Sequence, residues 1–245
     1  MAGNNAYKHN PPATKDACVV DQLRKAGAIP LPISTLPWMA TSWNSHDEIG
    51  KRYTCNPYDV RRTTGGSSSG EGALVGAAAS IFGLGNDAGG SIRLPASFCG
   101  VYGLKPTSGL VPFHGIVPSV PSSSSMAELC SIGPLCRHVI DLPTILRCLL
   151  TDSTLADTRL KLDEPVDLGR LRLFYTHEFD TTILCEPLER TVKEDIDGVM
   201  QFFGEEYDTH THMVELPLMS WAVDMWYAWA DRDEPPPNDS LVKVG

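Results

Sequence analysis

The chain has no Cys-x-x-Cys pair, and its seven cysteines, Cys18, Cys55, Cys99, Cys130, Cys136, Cys148 and Cys185, are scattered and odd in number. That spacing excludes a zinc ribbon and a disulfide framework, and it fits reduced thiols. No run of about 18 apolar residues occurs, so no transmembrane helix is expected. Met1 is followed by polar residues rather than an apolar stretch, so no signal peptide is expected. Basic tracts are missing too: 20 Lys and Arg stand against 30 Asp and Glu, a formal net charge of −10. Binding nucleic acid needs a basic face, which excludes that class of partner. Together these absences predict a cytoplasmic or intracellular, at most membrane-associated, protein without metal or cofactor.

What is present is ordinary for a globular chain. Hydrophobic residues make up 42% of the 245 positions and charged residues 20%. Such a length can bury a real core. The organising stretch is residues 65–106, GGSSSGEGALVGAAASIFGLGNDAGGSIRLPASFCGVYGLKP. Two Gly/Ser clusters, one at 65–70 and one at 89–91, bracket a small-residue segment. Glycine lets another backbone or a ligand approach closely, and serine supplies a hydroxyl able to relay a proton or attack a carbonyl. A flexible linker is excluded by the interleaved Leu74, Val75, Ile81, Phe82 and Phe98, which call for burial.

Taken in order, the chain alternates helix and strand patterns. Thr14 and Asp16 are placed to cap a helix reaching Ala26, with Ala17, Val20 and Leu23 on one face and Gly27 as its stop. Residues 28–31 read as a short strand, so that a helix–strand unit opens the chain. A long connection, 34–58, carries Trp38 and Trp43, for which core packing is expected over ligand contact. Residues 71–82 predict a small-residue helix, and Leu84 lies on a short strand. Low complexity at 122–125 predicts a mobile loop. A strand follows at 129–134, then a helix at 138–150 with Asp141 near its start, and His138 marks that helix end. Residues 171–175 read as a strand, and 187–203 as an amphipathic helix ended by Gly204. A strand is expected at 213–216. Leu218, Trp221, Met225 and Trp229 sit at helical spacing, as a core stripe or as the lining of an acyl channel. One domain over 1–230 and an acidic, Pro-rich tail over 231–245 are expected.

Three motif readings fail on context. Residues 66–70 fit G-x-S-x-G with Ser68 as nucleophile, but that elbow needs an apolar strand before it, and 59–64 is polar. A phosphate loop would need Lys where Glu71 stands. The G-x-G-x-x-A pattern of 83–88 lacks both a following helix of normal length and the acid about 20 residues on.

The ordered segments GGSS, GEGALVGAAAS and GLGND-GGSIR-P-FCG-GLKPT resemble the amidase signature family, and within it most closely its fatty-acid amide hydrolase branch. The resemblance weakens upstream to about Asn4 and downstream to about Ala230, and it covers only the middle of the family's length. It implies an α/β fold, a mixed β-sheet core flanked by helices, here in part. It further implies hydrolysis of carbon–nitrogen amide bonds by a Ser-Ser-Lys triad, with Ser91 as nucleophile and Ser67, preceded by a cis peptide, as bridging serine. The backbone amides of Ala88, Gly89, Gly90 and Ser91 would form the oxyanion hole, supported by Ser68, Asp87 and Arg93. Ser69 stands where the family has Gly, so its Cβ is expected to strain the loop. The family's Thr-Asn-x-Pro segment reads Ser34-Thr35-Leu36-Pro37, without the Asn. The base is the family Lys on a strand upstream of the bridging Ser. No Lys of this chain falls there: Lys8 and Lys15 come too late in the pattern, and Lys105 belongs to the Gly-Leu-Lys-Pro segment. The expectation is a triad reduced to two serines, and a chain nearly inactive as it stands. The implied substrate is a small amide or ester with an acyl chain; peripheral membrane contact and homo-oligomerisation are left open. The alternative is a non-catalytic remnant or pseudoenzyme that binds an acyl ligand or partner.

Overall fold

The strand Ser131–Cys136 is buried along its whole length and is the axis of the larger part of the molecule. The computed structural model describes residues 9, 11–31, 33–47, 52–117, 119–152, 154–177 and 186–233. In chain order the elements are α1 (Cys18–Lys25), β1 (His46–Asp47), β2 (Arg52–Tyr53), α2 (Ser69–Gly76), β3 (Phe82–Asp87), α3 (Arg93–Phe98), β4 (Tyr102–Gly103), α4 (Ser125–Leu129), β5 (Ser131–Cys136), α5 (Asp141–Leu149), α6 (Thr154–Thr158), β6 (Arg172–Tyr175), α7 (Arg190–Tyr207), β7 (His210–Met213) and α8 (Ala222–Ala230). They group into two compact units, residues 1–162 with 230–245, and residues 163–229. Asp233, in the expected tail, belongs to the first unit through its bond from the Ser125 N–H. Residues 234–245 of that tail, Lys8 with most of the first 12 residues, and Cys185 lie outside the described residues.

In the first unit β5 lies between β3 and β4, antiparallel to both. Side chains alternate across the sheet, so each face has its own core. On one face Ile132 and Cys136 pack with Val19 and Leu23 of α1 and with Ile145, Leu146 and Leu149 of α5. On the other, Leu135 packs with Val75 of α2 and with Ile92 and Ala96 at α3. The result is helix, sheet, helix, the mixed α/β architecture expected. Asp87 and Ser131 face each other in register at one end of the sheet, where the 89–91 loop follows, and the 67–69 loop meets it there through the bond from Ser68 N to Ser91 O. The second unit joins the parallel strands β6 and β7 through α7. No helix of the described residues is long and apolar enough to cross a membrane.

Several local expectations give way. α1 is capped by Ala17 without a side-chain bond; Asp16 instead pairs with Arg24, and Gly27 does turn left-handed at the end. Residues 28–31 form no strand, because Pro30 cannot donate to a ladder and Ile29 and Leu31 stay exposed. α2 stops at Gly76 instead of reaching Phe82. The Arg137 guanidinium donates to the carbonyls of Val75 and Gly76, satisfying the helix end early. The serine run at 122–125 is ordered: Ser124 caps α4, and the buried Ser125 hydroxyl donates to Ala230 O at 2.8 Å. β5 is shifted two residues from the expected strand, and β7 lies three residues before it. α7 runs through Gly204 to Tyr207 and ends on Asp208, whose φ is 54°. The stripe Leu218, Trp221, Met225 and Trp229 is exposed rather than core, as are Trp38 and Trp43.

Close packing over Gly133 of β5 sets a stability test. A Cβ there would meet the Leu104 carbonyl oxygen and lie 2.8 Å from Pro106 Cδ, both fixed by backbone. Gly133→Ala is expected to cost about 1–3 kcal/mol. Gly198, inside α7 with open space around it, is the contrast: Gly198→Ala should gain up to about 1 kcal/mol in its own unit. Urea denaturation of both variants reads the difference in sign.

Candidate active site

The alternation of β3 turns Asp87 inward, and its carboxylate is fully buried. Such a group must be paired and hydrogen-bonded. Here the chain after it winds back to do so. Oδ1 accepts from Gly90 N at 2.7 Å and from Arg93 Nη2 at 3.0 Å. Oδ2 accepts from Ile92 N at 3.1 Å, Arg93 N at 3.3 Å and Arg93 Nε at 2.9 Å. Burial pushes the carboxyl upward, but the Arg93 guanidinium and the amides of Gly90 and Ile92 outweigh it and hold the group below the ordinary carboxylate range. Residues 88–92 are thereby fixed as a turn leading into α3, with Ser91 in its middle.

The first serine loop lies against the second. Ser68 N donates to Ser91 O at 3.1 Å, and the Gly66–Ser67 peptide is cis. Ser67 and Ser68 are buried; Ser69 is wholly buried, and its hydroxyl donates to Gly65 O at 2.9 Å. That bond ties the loop at the start of α2 and gives the Ser69 side chain a place, where strain was expected. Ser67 Oγ and Ser91 Oγ make no hydrogen bond among the described residues, to each other or to any third group. Both hydroxyls are therefore uncommitted.

The oxyanion expectation needs one correction. The Gly90 N–H is used by Asp87, because that amide faces the carboxylate around which the turn is wound. The N–H groups of Gly89 and Ser91 have no acceptor among the described residues. Ala88 adjoins them in the same turn.

Contributions that composition did not suggest surround these loops. Gly66 is pressed against residues 42–44: a Cβ on it would lie 2.8 Å from Asn44 O and nearer still to Ser42 O. Thr63 Oγ1 accepts from Gly65 N at 3.0 Å and bonds Ser45 Oγ at 2.9 Å. Trp43 Nε1 donates to Gly89 O at 3.0 Å, so this tryptophan is a loop contact and not core. Glu71, in the first turn of α2, is held above the ordinary carboxylate range by burial, against an opposing hydrogen bond with Ser34. Burial also pushes the Cys99 and Cys130 thiols up to about 11, which keeps them protonated and inert. None of these surrounding contacts carries a signal readable without coordinates, unlike the serine spacing and the Asp87–Arg93 pair within 65–106.

This architecture is that of the amidase-signature enzymes. The sequence profile described as Amidase matches residues 1–200, and the chain belongs to that family. It is 34% identical over 229 residues to fatty-acid amide hydrolase 2-B of Danio rerio, covering 92% of this chain and 42% of that protein. It is 35% identical over 225 residues to a glutamyl-tRNA(Gln) amidotransferase subunit from Thermoanaerobacter pseudethanolicus, covering 89% and 44%. Among solved structures, the corresponding glutamyl-tRNA(Gln) amidotransferase subunit from Thermotoga maritima superposes with a TM-score of 0.76 at 27% identity, over 100% of this chain and 52% of that one. A fatty acid amide hydrolase structure shares the fold with a TM-score of 0.73, at 24% identity, over 91% and 39%. The chain thus spans about half, or somewhat less, of the length of the relatives it matches.

Two carboxyls shifted in opposite directions give opposite pH responses. Asp87 contributes stability that is present above its unfolded value of about 3.9 and is lost as pH falls through its lower folded value. Asp87→Asn should cost at least about 2 kcal/mol at pH 7, by leaving amide and guanidinium donors without their anion, and should flatten the acid limb of the unfolding curve. Glu71 contributes stability that is present below about pH 4.3 and lost as pH rises through its raised folded value. Glu71→Gln should therefore be more stable than the parent at pH 8 and indistinguishable from it at pH 4, as read by thermal unfolding across that range.

Proposed function

We propose that this chain carries the two-serine part of an amide-hydrolysing site. Ser91 Oγ attacks the amide carbonyl carbon while its proton passes to Ser67 Oγ, and the Ser67 proton passes on to a neutral lysine. The amine leaves as the C–N bond breaks, taking that proton, and water then releases the acid from the Ser91 ester. The N–H groups of Gly89 and Ser91, with Ala88 beside them, stabilise the oxyanion. The single observation that carries this reading is the pair of uncommitted serine hydroxyls on loops tied by the Ser68 N–H to Ser91 O bond. Asp87 and Arg93 support it by fixing the turn around Ser91.

The substrate class is a fatty-acyl amide. Relatives bearing that name support it. A net charge of −10 weighs against an RNA-linked amide.

A second reading, binding of an acyl ligand without turnover, is favoured by one observation. Among the described residues no lysine bonds Ser67 or Ser91. A positioned base contributes about 10²–10⁴-fold in rate. The chain alone should label with a fluorophosphonate at Ser91, lose that labelling in Ser91→Ala, and turn over a fatty-acyl amide slowly. Joining a lysine-bearing amidase strand at its N-terminus should raise turnover by about 10²-fold or more. Acyl-ligand binding with no labelling in either form would establish the second reading.

A further inference from the structure

Trp43 is a half-exposed indole in a turn, yet it makes a bond to a residue 46 positions away. Its acceptor is the carbonyl of Gly89, and the N–H of that same Gly89–Gly90 peptide donates to Asp87 Oδ1 at 2.7 Å. One peptide plane is therefore held from both sides, by an indole N–H on its oxygen and by a carboxylate on its hydrogen. A peptide unit is rigid, so two opposed anchors fix its rotation about the chain. That rotation sets the direction of the flanking amides of Gly89 and Ser91. The turn bearing Trp43 also touches the other serine loop, since the carbonyls of Ser42 and Asn44 lie against Gly66. It is fastened there by Asn44 Oδ1, which accepts from Ser45 N at 2.7 Å and from Thr63 Oγ1 at 3.2 Å.

We infer that Trp43 is a positioning residue: through Gly89 O it orients the oxyanion amides, and through its turn it keeps the Ser91 loop in register with the Ser67 loop. The catalytic consequence rests on the amide-hydrolase reading above; the structural consequence stands without it. Trp38 supplies an internal control, since it is exposed to a similar degree and its indole has no partner among the described residues.

The test uses the full chain and two substitutions. Trp43→Phe keeps an aromatic ring and removes the N–H. Trp43→His restores a ring N–H, since histidine Nε2 lies as many bonds from Cβ as the indole nitrogen. Amide exchange of Gly90, followed by NMR, should accelerate about tenfold in Trp43→Phe and return in Trp43→His, with the thermal midpoint unmoved. Fluorophosphonate labelling of Ser91 should fall by about tenfold to a hundredfold in Trp43→Phe and recover in Trp43→His. Unchanged Gly90 exchange in Trp43→Phe, or equal losses in both variants, overturns the inference. Absence of labelling in the parent chain tells against the hydrolase reading alone, and the exchange measurement still decides on Trp43. Should Trp43→Phe not fold, the parent chain decides: the Trp43 indole proton must exchange more slowly than that of Trp38, and equal rates overturn the proposal.

Discussion

The site depends on one buried carboxylate. Asp87 ends β3 with no water to solvate it, and a charge so placed is tolerated only when donors surround it. The donors come from the next six residues: the amides of Gly90, Ile92 and Arg93, and the Arg93 guanidinium. Satisfying that charge is what bends the chain into a turn and starts α3. Ser91 is carried in the middle of a segment whose shape is set from inside. Arg93 remains half-exposed, so the pair keeps contact with solvent and is less costly than two fully buried charges.

A turn fixed only at its core would still be free to rock at its outer edge. Two contacts from earlier in the chain remove that freedom, Trp43 of the long connection on Gly89 O and Ser68 N of the first serine loop on Ser91 O. Close approach does the rest: the backbone of residues 42–44 lies where a side chain on Gly66 would be. The two serine loops are therefore held as a unit by hydrogen bonds to main-chain atoms. Such contacts leave the side-chain hydroxyls available, which a catalytic or ligand-binding serine requires.

How much of this was legible can be judged residue by residue. The sheet order needed pairing information, yet the strand around Leu84, the helix starting near Asp141 and the strand before Tyr175 were all visible as local patterns. Misreadings cluster where a distant group decides the outcome. α2 ends early because Arg137 reaches its carbonyls from 61 positions away. The serine run near 124 is ordered because Ser125 meets Ala230. Trp43 looked like core because tryptophan usually is, and its acceptor lies 46 residues further on.

By itself the sequence determined family, architecture and the candidate serines, because these rest on residue type and spacing: Gly and Ser at 65–70 and 89–91, and Asp87 followed by Arg93. Only the tertiary structure decided which amides of the turn are used internally and which are left without an acceptor among the described residues. Gly89, Gly90 and Ser91 are equivalent as text, but Gly90 alone faces the carboxylate. The physical reason is that hydrogen bonds are directional. Which of three neighbouring donors is used depends on where one acceptor sits in space, and that is set by packing across the sheet.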